Sequence, residues 1–223
     1  NGRGEAGMSP VPPGIFGTQE GEAGINPLVY DWVDGKPQRK SIEEAKRLLA
    51  EAGYPNGRNE ETGEPLVLNL DITTTSASKA RLAWMQKQFE KIDLQLNIRA
   101  TDYNRFKEKM ETGNAQIYSW GWLADYPDPE NFLFLLYGPN SQVDSKSGVN
   151  SANFKNARYD ALFEKMKLLP NGPERMAVIR EMVDIVRTEA PWASMYHGHD
   201  YMLNNAWVTN AKQHGISKAT LKY

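Results

Sequence analysis

The polar and apolar positions fall into two regimes along the chain. Up to about residue 122, short alternating runs take turns with helical stripes; beyond it, helical spacing dominates. Residues 66–74 place Leu66, Leu68, Leu70 and Ile72 on one side and Asn69, Asp71 and Thr73 on the other, the pattern of a half-buried strand. Residues 94–99 alternate through Leu94, Leu96 and Ile98, and residues 115–122 form a third such run. Between them, Leu82, Met85, Phe89 and Ile92 lie on one helical stripe over 77–92, and 103–112 predicts a short helix capped by Asp102 and ended by Gly113. Strand–helix–strand–helix–strand predicts parallel strands joined by right-handed crossovers.

Other elements flank this unit. Residues 41–53 predict a helix. Ser41 and Glu44 form a capping box, Ile42, Ala45, Leu48, Leu49 and Ala52 share a face, and Gly53 follows as the C-terminal stop. Residues 54–65 are rich in turn formers. Downstream, 129–137 predicts a short helix, 157–169 a longer one, and 173–189 another that opens on Pro173 and is ended by Pro191. Residues 192–208 predict one or two strands. Residues 1–30, dense in Gly and broken by Pro10, Pro12, Pro13 and Pro27, predict an extended arm outside the core, and residues about 200–223 are expected to lie outside it too.

Charge and composition narrow the function classes. The 223 residues carry 26 Lys and Arg against 28 Asp and Glu, a net charge of −2. That lacks the basic footprint of a nucleic-acid binder. There is no cysteine, which excludes disulfides, thiolate metal sites and Cys nucleophiles. No apolar run approaches the ~20 residues of a membrane span. The opening NGRGEAGMSP has neither an initiator Met nor a signal peptide, and reads as the start of a piece cut from a longer protein.

The segment 117–137, IYSWGWLADYPDPENFLFLLY, concentrates the candidate chemistry. On a strand over 115–122, Tyr118, Trp120 and Trp122 would share a face, either as helix-covered core or as the apolar wall of a ligand pocket. The chain then leaves the strand's carboxyl end, where open α/β sheets bind ligands. Asp128 is assigned as a helix cap before Pro129, with Glu130 in the first turn. Its loss should cost about 1 kcal/mol. Asp125 has no such local job: it is either an Asx-turn residue or a carboxylate awaiting a cation. A metal site from Asp125, Asp128 and Glu130 lacks calcium-loop spacing. His197 and His199 could chelate from one strand face, but lack supporting ligands. Nucleophile-elbow, phosphate-loop, zinc-protease and dinucleotide motifs are all missing. A carboxylate-dependent hydrolase on an α/β scaffold remains the alternative function.

The run WGWLADYPDPENFLFLLYG resembles the family 5 extracellular solute-binding proteins of ABC importers, the peptide-, oligopeptide- and nickel-type receptors. EEAKRLLAEAGYPNG, FKNARYDALFEKM and RTEAPWASMY agree in order and spacing over roughly 41–200, and PVPPGIFG resembles the run-up to the same lobe. The resemblance implies an α/β fold, the C-terminal lobe of a type II periplasmic-binding-protein architecture, with a mainly parallel sheet flanked by helices. Residues 1–30 would be an arm toward a missing N-terminal lobe, 31–200 the solute-binding lobe, and 201–223 a return segment. It also implies a non-enzymatic protein without cofactor or metal, capturing a peptide-like ligand between two lobes for an ABC transporter membrane permease. The location would be the periplasm, or the cell exterior with a lipid anchor. In peptide-binding members the aspartate of W-x-x-D contacts the ligand's α-ammonium, which carries that role to Asp125 and an aromatic wall to Trp122. Trp120 and Tyr126 complete the candidate ligand set. No Arg or Lys lies on 115–122 to meet a peptide carboxylate.

Overall fold

In the computed structural model, residues 2, 4–73, 79–199, 201 and 203–209 are described. Strands β1 (Gly4–Ala6), β2 (Tyr30–Val33) and β3 (Lys36–Arg39) precede helix α1 (Ile42–Glu51). The central unit is β4 (Val67–Thr73), α2 (Lys79–Glu90), β5 (Gln95–Thr101), α3 (Tyr103–Glu111) and β6 (Ile117–Tyr118). Then come α4 (Glu130–Leu133), α5 (Ala157–Leu168), α6 (Pro173–Glu189) and β7 (Tyr196–Gly198).

The alternating runs pair as expected. β4 lies between β5 and β6 and is parallel to both, with Leu70 opposite Ile98 and Ile117. Leu70, Ile72 and Leu96 form a cluster under Leu82, Met85 and Phe89 of α2. The other side of β4 is also closed. Asp71 is fully buried there and accepts a charge-assisted hydrogen bond from Lys109 of α3, whose Phe106 and Met110 are buried as well. The strand is therefore covered on both sides, and a carboxylate stays inside because a lysine meets it. Asp102 caps α3 by accepting from Asn104 N and Arg105 N, and Gly113 follows with a positive φ of 70°.

The third strand is shorter than its alternation suggests. Only Ile117 and Tyr118 join the ladder, and residues 119–122 leave it. Tyr118, Trp120 and Trp122 therefore do not share a strand face. Tyr118 turns its hydroxyl to Ser151 O instead, tying the strand to the loop before α5. Of the one or two strands expected over 192–208, one forms among the described residues, β7, which pairs antiparallel with β1.

The main core is helical. Leu133 and Leu136, with Tyr159, Phe163 and Met166 of α5 and Ile179, Met182 and Val186 of α6, are buried together. The Tyr159 hydroxyl donates to Leu133 O at 2.7 Å, so the one polar tip in this cluster is satisfied. The N-terminal segment belongs to this core, contrary to the expectation from its turn-rich sequence. Val11 is 0% exposed within the cluster, with Ile15 and Phe16 packed against it. Gly17, at φ 96°, lays its backbone on Ile179, where a Cβ would come within 2.9 Å of that side chain. Arg187 donates to Gly24 O at 3.0 Å. Hydrophobic periodicity misses such a segment because it packs through isolated residues between turns.

Helix α1 shows the opposite departure. Ser41 caps it by accepting from Glu44 N, yet Ile42 and Leu48 on its apolar stripe remain 44% and 46% exposed. Glu44 turns to Arg47 rather than back to the cap. Val11 supplies the test of the arm's role. Val11→Ala removes two buried methyl groups and should lower unfolding stability by about 2 kcal/mol in a urea titration; an arm outside the core would leave the midpoint unchanged.

Candidate functional site

Residues 119–129 run from β6 to α4 without regular structure, and three side chains fix their course. The first is Asp128. Its Oδ1 accepts from Glu130 N at 2.9 Å, at the head of α4, which begins at Glu130 with Pro129 before it. The capping role is thus met, but the carboxylate does more. Arg175 Nη1 donates to Oδ2 and Nη2 to Oδ1, both at 2.7 Å, a bidentate pair. Arg175 is 6% exposed and also donates to Met166 O and Asn171 Oδ1, with its guanidinium 6.0 Å from the Phe16 ring centre. Burial pushes the Asp128 carboxyl upward, but the Arg175 hydrogen bonds, the Glu130 N–H and the Arg175 charge outweigh it and hold it below the usual value.

The second is Asn131, 2% exposed on the first turn of α4. Its Oδ1 accepts from Trp122 Nε1 at 3.1 Å and from Asp125 N at 2.9 Å. The third is Phe134, which meets the Trp122 ring edge-on at 5.4 Å between centroids. Neither Arg175 nor Asn131 emerges from the sequence reading. The DPEN run follows the candidate motif directly, but the motif does not show which way the Asn131 amide points.

The four candidate residues separate into distinct environments. Asp125 is exposed, and no hydrogen bond or ion pair reaches its carboxylate among the described residues. Trp122 is half-buried against α4 and Phe134. Trp120 turns away, 51% exposed, over Phe106 of α3 and stacked with Tyr103 at 6.5 Å and 20° between planes. Tyr126 is 41% exposed and donates to Glu130; partial burial, then that carboxylate, raises its phenol above the ordinary range. The result is an open surface: an uncompensated carboxylate and, on the same stretch of chain, Trp120, which stacks on Tyr103 of α3. Two shallow concavities lie elsewhere, one between α5 and α6 and one beside Asn56 and Asp93.

Among the described residues no group of three His, Asp or Glu could hold a metal. His199 meets Glu5 and Gly2 O, while burial, countered by a Ser9 backbone hydrogen bond, lowers His197 below the usual imidazole value. No helix among them is long and apolar enough to cross a membrane.

The open carboxylate thus lies beyond the carboxyl edge of a parallel α/β sheet, where such sheets bind ligands. Residues 1–144 match the bacterial extracellular solute-binding proteins, family 5 Middle, and the chain belongs to that family. Heme-binding protein A of Haemophilus influenzae is 29% identical over 88% of the chain and 32% of its own length. The periplasmic oligopeptide-binding protein OppA of Escherichia coli is 27% identical over 78% of the chain and 30% of its own length. The periplasmic binding protein DppA of Helicobacter pylori, solved with the peptide STSA, superposes with a TM-score of 0.69 at 24% identity. The alignment covers 88% of this chain and 34% of that one. The chain thus spans about a third of the length of the curated relatives it matches.

Removing Arg175 tests the hold on this loop. Arg175→Met should cost about 3 kcal/mol of stability, the low end for breaking a buried pair, since Asp128 keeps 31% of its side-chain surface exposed. Acid should act on the same contact. The folded-state value of Asp128 is depressed, so its stabilisation is complete above the ordinary value of 3.8 and is lost as pH falls through the lower folded value. Urea titrations between about pH 5 and about pH 2 should show a steeper loss in the unaltered chain than in Asp128→Asn.

Proposed function

We propose that this chain forms the C-terminal lobe of a two-lobed solute-binding component of an ABC importer, and that it captures a peptide-like ligand whose α-ammonium is held by Asp125. The observation that carries the reading is the Asp125 carboxylate, exposed and without a protein partner, on a loop whose backbone is otherwise hydrogen-bonded into place. An enzyme acid or base would be accompanied by a nucleophile, a proton partner or a metal. Among the described residues no hydrogen bond or ion pair reaches its carboxylate, and the family match supports binding over the hydrolase alternative.

An open surface cannot enclose a small ligand, whereas small-molecule sites bury most of the ligand's area. A second lobe closing over Asp125 would supply the missing wall and exclude water from the ion pair. The share of the relatives' length that this chain spans supports such a division. The partners in this reading are a peptide ligand and a membrane permease, and the location is the periplasm, or the cell exterior with a lipid anchor. Trp122 forms part of the wall from within, and Trp120 and Tyr126 contribute its exposed aromatic surface.

A haem-like ligand is the second reading. It is favoured by the relative named a haem-binding protein and by the exposed Tyr103–Trp120 stack, a flat apolar surface suited to a planar ring system.

Calorimetry on the intact receptor separates the two. Asp125→Asn keeps shape and removes charge. It should weaken Met-Leu binding by about 2–5 kcal/mol and leave N-acetyl-Met-Leu almost unaffected, because the acetylated peptide has no ammonium. Equal losses for both peptides, or none for either, reject the anchor. Binding of haemin without binding of free-amine peptides transfers the assignment to the second reading.

A further inference from the structure

The loop contacts converge on one atom. Asn131 Oδ1 receives the Trp122 indole N–H and the Asp125 backbone N–H, from residues three apart in the chain. One buried amide thus meets both the tryptophan side chain and the aspartate's main chain along the candidate site. A carbonyl oxygen has two lone pairs, so two donors saturate it. With Asn131 2% exposed, water cannot readily replace it.

We propose that Asn131 is a positioning residue for ligand capture: it sets where the Asp125 carboxylate and the Trp122 ring stand relative to each other before ligand arrives. The proposal rests on the assignment of Asp125 and Trp122 to the site, and it adds the residue that acts through them. The physical basis is preorganisation. A free loop would adopt many arrangements and would have to be ordered as ligand binds, which lowers affinity. Here the ordering is completed on folding, because Asn131 is held on α4 and α4 begins at the Asp128–Arg175 pair. The contact needs an acceptor that is neutral and compact. Leucine fills similar space but leaves both N–H groups without a partner. Aspartate keeps the acceptor but adds a negative charge beneath the loop and removes the amide's N–H donors.

Hydrogen exchange and indole NMR on the ligand-free intact protein read the contact directly. Asn131→Leu and Asn131→Ser should speed exchange of the Asp125 amide by at least about tenfold and shift the Trp122 indole N–H resonance. Asn131→Asp should retain slow Asp125 exchange while shifting that resonance. Where Asn131→Leu does not fold, Asn131→Ser and Asn131→Asp carry the test. In binding, Asn131→Ser should weaken Met-Leu by about 5- to 30-fold. The loss should shrink to about twofold or less in an Asp125→Asn background, since a residue acting through Asp125 cannot act when the anchor is gone. A merely structural role predicts losses that multiply in the double variant, and that result overturns the proposal. Unchanged Asp125 exchange together with an unchanged indole resonance overturns it too. Failure of Met-Leu to bind the unaltered receptor counts against the anchor reading alone; the exchange and indole arms still decide whether Asn131 holds the loop.

Discussion

The arrangement of this chain depends on a single guanidinium. Arg175 sits in the first turn of α6, almost fully buried, and its donors go to Asp128, Met166 O and Asn171. The contacts bring together the end of α5, the start of α6, the head of α4 and, through Phe16, the N-terminal segment. Burying a guanidinium costs several kcal/mol unless its donors are met. The bidentate carboxylate and the carbonyl meet them, so the position of Asp128 is tightly specified. The loop that carries Asp125 therefore has a fixed downstream end, and β6 fixes the other.

From this constraint follows a division between rigid support and open chemistry. Asp128, Asn131 and Phe134 turn inward and are consumed by contacts. Asp125, Trp120 and Tyr126 face outward. A carboxylate exposed in that way is open to water, and a single ammonium gains little from pairing with it there. The gain appears only when a second surface displaces water, which is why closure and affinity belong together in the proposed receptor. The same argument explains why the proposed anchor needs no hydrogen-bonding partner of its own: a neighbouring cation would already have neutralised it.

Much of this was legible in the residues. Alternation in 66–74 and 94–99, stripes in 77–92 and 173–189, and the caps Ser41 and Asp102 report local geometry, and local geometry is what periodicity encodes. The shortness of β6 was not legible. Trp120 and Trp122 have strand-like chemistry, but Trp120 finds Tyr103 and Phe106 of α3 while Trp122 finds Asn131 and Phe134, and those tertiary contacts pull the chain off the ladder. Val11 and Gly17 fall in a stretch whose turn-rich sequence predicts an arm, because close packing of isolated residues leaves no period. Asp71 was read as strand polarity, and only the placement of Lys109 reveals it as a buried pair. At the site, Asp128's capping job leaves Asp125 as either a turn residue or a waiting carboxylate, and the resemblance of Trp122-Leu123-Ala124-Asp125 to the family's W-x-x-D pattern implies the anchor role. Arg175 and Asn131 escaped because their partners lie across the fold or depend on side-chain direction.

The most direct measurement is a structure of the intact receptor bound to a free-amine peptide, read at one distance. The account predicts the peptide's α-ammonium within hydrogen-bonding range of the Asp125 carboxylate, about 2.7–3.2 Å, with the Trp122 indole still donating to Asn131. An ammonium held by another carboxylate, or left in solvent with Asp125 turned away, would contradict it.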